Sequence, residues 1–240
     1  MASGDWGVST GSLATSSLKR GVSAGFPKPS GGGTFAYGFN SVANVVGCTV
    51  LYANVADFTP TADGGEISAA IQRAPSTGKT GFAPFLAICI GGTAVSDKAY
   101  MLGLGDGDPS HFILRKGAMS DGLPDVAPGT QGILRRSTAT YDAETYYHLR
   151  LEAVANANGD VVINCYQSDL TAHSVASPVW TAINGMTQFI DDAAGIASAN
   201  AGLTGADIFP YASGYMGYGM RVANIGRRAF FDRILPIAQG

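Results

Sequence analysis

The sequence predicts an all-β chain: a two-sheet antiparallel jelly-roll sandwich carrying an extended N-terminal arm. Three observations predict it. The stretch Tyr146–Gln167 reads as two strands joined at Asn158-Gly159, with Tyr147, Leu149, Leu151 and Ala153 alternating against His148, Arg150 and Glu152. Period two is the pleat of a half-buried strand, and Asn-Gly suits a type I′ turn with positive φ at both central residues. Roughly ten or more short strand-like runs recur at close spacing, which means a sandwich rather than alternating βα units. The 33 glycines among 240 residues supply many tight turns. A lone hairpin cannot bury its apolar face, so the other runs must complete the sheets.

In chain order, residues 1–33 are rich in Gly, Ser, Thr and Ala and lack strand periodicity. Within them Trp6, Leu13, Leu18, Val22 and Phe26 are spaced apolar anchors that a free linker would not need. The stretch is therefore expected to be an arm held by a neighbouring subunit or by the domain's own surface, with the neighbour preferred. Residues 34–240 are expected to form the sandwich domain. Thr34–Phe39 and Gly47–Asn54 read as strands, and Gly64-Gly65 as a turn. Glu66–Arg73 fits a strand better than a helical turn, given Pro75 just beyond it. Phe82–Ile90 is apolar throughout apart from Pro84, the pattern of a strand buried on both faces. Ala99–Leu104 and His111–Lys116 flank Gly105-Asp-Gly-Asp-Pro109 as a hairpin. Gly117–Thr130 is a loop, and Gln131–Arg136 a short strand. Leu170–Leu203 reads as a long crossover with one helical turn. Gly214–Val222 and Ala229–Pro236 close the domain as two strands around Asn224–Arg228.

Composition narrows the function. At 46% hydrophobic and 14% charged, the chain has ample core material and little surface charge. A net charge of −3 gives no electrostatic reason to expect nucleic acid or an anionic membrane as partner. No apolar run has the length of a membrane helix. The N-terminus lacks a basic region followed by an apolar core, so no signal peptide is expected. Cys48, Cys89 and Cys165 sit in separate apolar runs, neither a disulfide framework nor a zinc spacing, and read as buried free thiols.

No catalytic constellation stands out. Gly78-Lys79-Thr80 lacks the upstream glycine of a phosphate loop, because position 73 is Arg. Asp106 and Asp108 could present two hard oxygens to calcium, but two carboxylates are few and Asp-Gly-Asp-Pro is also ordinary hairpin chemistry. His111, His148 and His173 lie in separate elements, with no Gly-x-Ser-x-Gly elbow to pair with them. The strands never place two carboxylates at alternating positions, as a glycanase would need. Trp180, Tyr211, Tyr215 and Tyr218 could form a sugar-stacking platform, although strand aromatics more often fill a core. No cofactor is expected.

The run Tyr147-His-Leu-Arg-Leu-Glu, with Asn158-Gly-Asp, Val162-Ile-Asn, Gly214-Tyr-Met-Gly-Tyr-Gly and Phe231-Asp-Arg-Ile, resembles the concanavalin A-like (laminin-G-like) jelly roll. Phrases such as Ala99-Tyr-Met-Leu-Gly-Leu, Leu114-Arg-Lys-Gly117 and Gly226-Arg-Arg-Ala-Phe-Phe-Asp232 are similar to small structural proteins of tailed bacteriophages. That resemblance implies a non-enzymatic virion protein of the neck or collar, or a capsid or tail decoration, assembled in the host cytoplasm. Its partners would be other virion proteins and copies of itself. The alternative is a lectin-like module that touches host-surface glycans.

Overall fold

The computed structural model describes residues 6–8, 18–22, 35–40, 47–53, 64–74, 82–107, 109–142, 145–211, 213–222 and 228–238. These residues form strands β1 (Trp6–Val8), β2 (Leu18–Val22), β3 (Phe35–Asn40), β4 (Gly47–Ala53), β5 (Gly65–Ala74), β6 (Phe82–Ile90), β7 (Lys98–Leu104) and β8 (Phe112–Ala118). They continue through β9 (Ile133–Arg136), β10 (Tyr147–Ala155), β11 (Val161–Ser168), β12 (Thr181–Ala182), β13 (Phe189–Asp191), a short helix α1 (Ile196–Asn200), β14 (Tyr215–Val222) and β15 (Arg228–Ala238).

The strands make two antiparallel sheets. One has seven strands in the order β1-β4-β14-β6-β7-β8-β9. The other has eight, in the order β12-β11-β10-β5-β15-β3-β2, with β13 also paired to β11. The jelly-roll sandwich expected from the sequence is the fold observed. Between the sheets, Ile67, Ile71, Leu149, Leu151, Ile163 and Phe231 of one pack with Leu86, Ile88, Leu102, Leu114, Tyr218 and Val222 of the other. Alternation dictates this: on β10 the buried Leu149, Leu151 and Ala153 face inward, and Arg150 and Glu152 face out.

β6 supplies both sides of its sheet. Phe82, Leu86 and Ile88 enter the inter-sheet core, while Ala83, Phe85, Ala87 and Ile90 join a second apolar cluster on the outer side. Cys48, Val50, Met101 and Ile113 complete that cluster from the sheet. Met119 and Leu123 close it from the loop after β8. This outer face is therefore roofed by chain rather than by water.

Glu66–Arg73 lies within a strand, as expected, and is paired on both edges. Three details differ from the expectation. The β10–β11 loop is not a two-residue type I′ turn. Within it Gly159 takes positive φ (82°), its N–H reaches the Asn156 carbonyl at 3.2 Å, and Asn156 Oδ1 accepts from the N–H groups of Asn158 and Asp160. That is a type I turn closed by a left-handed glycine, which the side chain of Asn156 stabilises. β14 and β15 do not pair as neighbours: the chain changes sheets between them. Within residues 1–33, β1 pairs with β4 and β2 with β3, so this stretch contributes an edge strand to each sheet. Leu13 and Phe26 lie outside the described residues.

Candidate functional site

The roof over the seven-stranded sheet does not fit flush. Between it and the sheet lies a cleft of about 460 Å³. Ala83, Arg115 and Arg221 reach it from β6, β8 and β14. Asp106 comes from the β7–β8 turn, and Asp121, Leu123, Pro124, Gln131 and Gly132 from the roof. Gly202 and Leu203 complete it from the crossover.

Arg115 is the clamp. Its Nε donates to the Gln131 carbonyl at 2.9 Å, and its Nη1 to the carbonyls of Ala118 and Gly122 at 2.9 and 3.1 Å. Its Nη2 meets Asp121 at 2.9 Å. A guanidinium's rigid fork suits this work, because one side chain can hold several carbonyls of a loop in place. Gly122 passes so close over Arg221 that a Cβ would meet the arginine stem at 2.8 Å, and its φ of +68° favours glycine too. Asp125 ties the roof's far end down. It accepts from the His111 backbone N–H at 3.0 Å and from Arg136 Nε at 2.9 Å. Burial pushes its carboxyl up, but bonds from His111 and the nearby charges of His111 and Arg136 outweigh this and hold it below the usual range.

Arg221 is engaged differently. Its Nη1 lies 3.7 Å from Asp106, an ion pair too long for a hydrogen bond, and its Nε makes none. The cleft thus holds one arginine committed to structure and one with donors in reserve. Around them stand two carboxylates, a glutamine and the apolar wall of Leu123, Pro124 and Leu203.

The turn that carries Asp106, weighed in the sequence as a weak calcium candidate, is held by an arginine. Arg73, fully buried at the inner end of β5, donates to the Gly105 carbonyl at 2.5 Å and to the Gly107 carbonyl. Asp106 faces Arg221. A cation thus engages the Gly105 and Gly107 carbonyls, which a hard ion at this turn would need beside the carboxylates. Asp108 lies outside the described residues. Among the described residues no group of three or more His, Cys, Asp or Glu could hold a metal.

The four aromatic candidates do not converge. Tyr218 has no exposed surface and packs its ring 5.0 Å from Phe231, so it is a core residue and cannot stack on a sugar. Tyr215 leans on Tyr52 at 5.0 Å. Tyr211 packs on Tyr100 at 5.2 Å and lines a second cavity, of about 470 Å³, with Lys98, Asp207 and Cys89. Trp180 lies just before β12, over the other sheet. There the Arg150 guanidinium lies 4.2 Å from the Tyr166 ring and 5.2 Å from that of Trp180, and pairs with Glu66 at 3.1 Å. Trp180 also lies 4.6 Å from the His148 ring. His148 was expected on the open polar row with Arg150 and Glu152, but it is only 1% exposed and neither ring nitrogen makes a hydrogen bond. Burial, with Arg233 adding to it, pulls its pKa down to about 4. The three cysteines are buried and free, and burial pushes each thiol up.

Sequence reading did not single out Arg115, Asp121, Gln131 or Arg221 as site residues. One signal was available. Arg115-Lys116 interrupts the apolar run Phe112-Ile-Leu, and Arg221 interrupts Met220-Arg-Val222. Cations inside such strands need a partner or a cavity.

No family model matches the chain, and no curated protein matches it. Solved structures do. The metal-free Emp46p carbohydrate recognition domain is 10% identical, with 99% of this chain and 89% of that one covered, at a TM-score of 0.50. The marine PL-14 alginate lyase from Aplysia kurodai is 9% identical, covering 93% and 88%, also at 0.50. A carbohydrate-binding module from Bacillus subtilis is 10% identical, covering 92% and 95%, at 0.45. At such identity the likeness is one of fold, and the fold hosts both binding domains and lyases. With the sheet order above, it shows the fold to be a two-sheet antiparallel jelly-roll sandwich.

Proposed function

We propose that the protein binds glycan in the cleft over the seven-stranded sheet. The cleft itself carries this reading. A sugar presents vicinal hydroxyls that both donate and accept, with C–H faces between them. The cleft offers matching parts: donors on Arg221 and Gln131, acceptors on Asp106 and Asp121, and an apolar wall at Leu123, Pro124 and Leu203. Glycan-handling neighbours of the same fold make this ligand class a natural one to test first. We read the site as binding rather than catalytic, because Asp106 and Asp121 each face an arginine instead of one another.

A glycan array followed by titration tests it. Arg221→Ala and Asp106→Ala should each weaken binding about 10- to 100-fold, as loss of a charged hydrogen-bonding group does. Trp180→Ala and Tyr215→Ala, both outside the cleft, should leave binding intact. Silence across a broad array, or loss in Trp180→Ala instead, overturns the assignment.

The virion setting, with copies of the chain and other particle proteins as partners, is our second proposal and concerns where such binding operates. It rests on the sequence resemblance to phage structural proteins.

A further inference from the structure

Among the described residues, one fully buried charge pair lies away from both outer faces. Lys116 on β8 and Asp191 at the end of β13 are both fully buried. The Lys116 Nζ donates to Asp191 Oδ2 at 2.6 Å, to Ser198 Oγ at 3.1 Å and to the Phe209 carbonyl at 2.6 Å. Asp191 Oδ2 also accepts from the Tyr100 hydroxyl, and Oδ1 from Ser198 Oγ at 2.6 Å. The Tyr211 and Tyr100 rings stand 4.6 and 5.7 Å from Nζ. An amine and a carboxyl are thus held in contact, without exposure to water, by a shell that gives each oxygen of the carboxyl a hydroxyl donor.

Two buried ions lose hydration that their attraction returns only in part. Burial pulls the lysine toward its neutral form, although Asp191 opposes this. Passage of one proton along the short Nζ–H···Oδ2 bond leaves an amine beside a carboxylic acid, the two reactants of an amide. Contact enforced by the fold replaces the collision that such a reaction otherwise needs.

We propose that Lys116 and Asp191 become joined by an amide bond that the folded chain forms itself. The Nζ lone pair attacks Asp191 Cγ, and the carbonyl π pair moves onto Oδ1, where the Ser198 hydroxyl donates to the developing charge. Oδ2 already carries the first proton from Nζ. It receives a second Nζ proton through the Tyr100 hydroxyl, the Cγ–Oδ2 bond breaks, and Oδ2 leaves as water as the Oδ1 pair re-forms the carbonyl. Two nitrogen protons depart in that water and the third stays on the amide, positioned to donate to the Phe209 carbonyl. No oxidant or co-reactant is required. The bond would tie β8 of one sheet to β13 of the other, a covalent clasp across the sandwich. It is independent of the glycan cleft.

The intact mass of the purified full chain decides the matter. The expected mass is one water below that of the sequence, and proteolysis should release a branched peptide joining Lys116 to Asp191. Lys116→Arg keeps a cation but should have the full mass of its own sequence. Tyr100→Phe should form the link more slowly in a time course after synthesis. A wild-type mass equal to that of the sequence, with Lys116 and Asp191 recovered in separate peptides, overturns the proposal. So does a one-water deficit that persists in Lys116→Arg.

Discussion

On the outer side of the seven-stranded sheet, Val50, Phe85, Met101 and Ile113 lie under Met119 and Leu123 of the roof, whereas on the outer side of the eight-stranded sheet Arg150, Glu152, Asn164 and Tyr166 remain at the surface. Both faces belong to strands whose inward sides fill the same core. Period-two alternation settles only that one side of each strand is apolar. Whether the other side is wet depends on what the loops do. The roofed face gains an apolar cluster and, where the roof stands off the sheet, a cleft with charged walls. The open face instead has pairs of side chains on neighbouring strands: Arg150 with Glu66, Asn164 with Glu152, Tyr166 under Arg150. Ligand-sized concavity comes from the covering loop, and the sheet supplies its floor.

The contrast can be broken from the roofed side. Leu123 is buried beneath the roof, and Leu123→Ala should cost about 3 kcal/mol through lost burial and the void left behind. Val162→Ala, a half-buried position on the open face, should cost under about 1 kcal/mol. Urea midpoints of the two variants make the comparison. Equal losses would mean that the roof contributes no more than an ordinary surface.

His148 is among the buried residues of the open face, and pH sharpens its difference from the half-buried Arg150 and Glu152. The unfolded chain takes up a proton near the ordinary histidine value of 6.5, and the folded chain only near 4. Its titration therefore costs no stability above pH 6.5. The cost grows as pH falls toward 4, to about 3 kcal/mol at most, and is flat below that. His148→Leu should remove this slope in urea unfolding curves taken between pH 7 and 4. At neutral pH the same variant should gain about 1 kcal/mol, because it replaces two unsatisfied buried nitrogens with hydrocarbon. An unchanged slope would place the acid sensitivity elsewhere.

Much of this architecture is legible in the residues. β6 announces a strand buried on both faces, since Phe82–Ile90 offers no polar side chain to either side. The β10–β11 hairpin is visible as alternation around a glycine turn, even though the turn type is not, because the Asn156 side chain bridges backbone groups that a dipeptide signal ignores. The site was harder to see. Arg115 and Lys116 are adjacent and look alike in the chain, yet the pleat sends one outward to clamp the roof and the other inward to Asp191. Tyr215 and Tyr218 share one strand, but Tyr218 turns into the core and Tyr215 lies half-buried against Tyr52. His148 shows no mark of burial in its sequence context, because its cover includes Trp180, which lies beyond the next strand.

The sequence by itself determined the strands, their inward faces and the all-β class, because these follow from local alternation and turn chemistry, which act over a few residues. Tertiary structure alone decided which strands share a sheet, which outer face is roofed, and where Asp106, Arg115, Asp121 and Arg221 meet. Those outcomes depend on contacts between segments far apart in the chain, and a residue's neighbours in sequence carry little information about them.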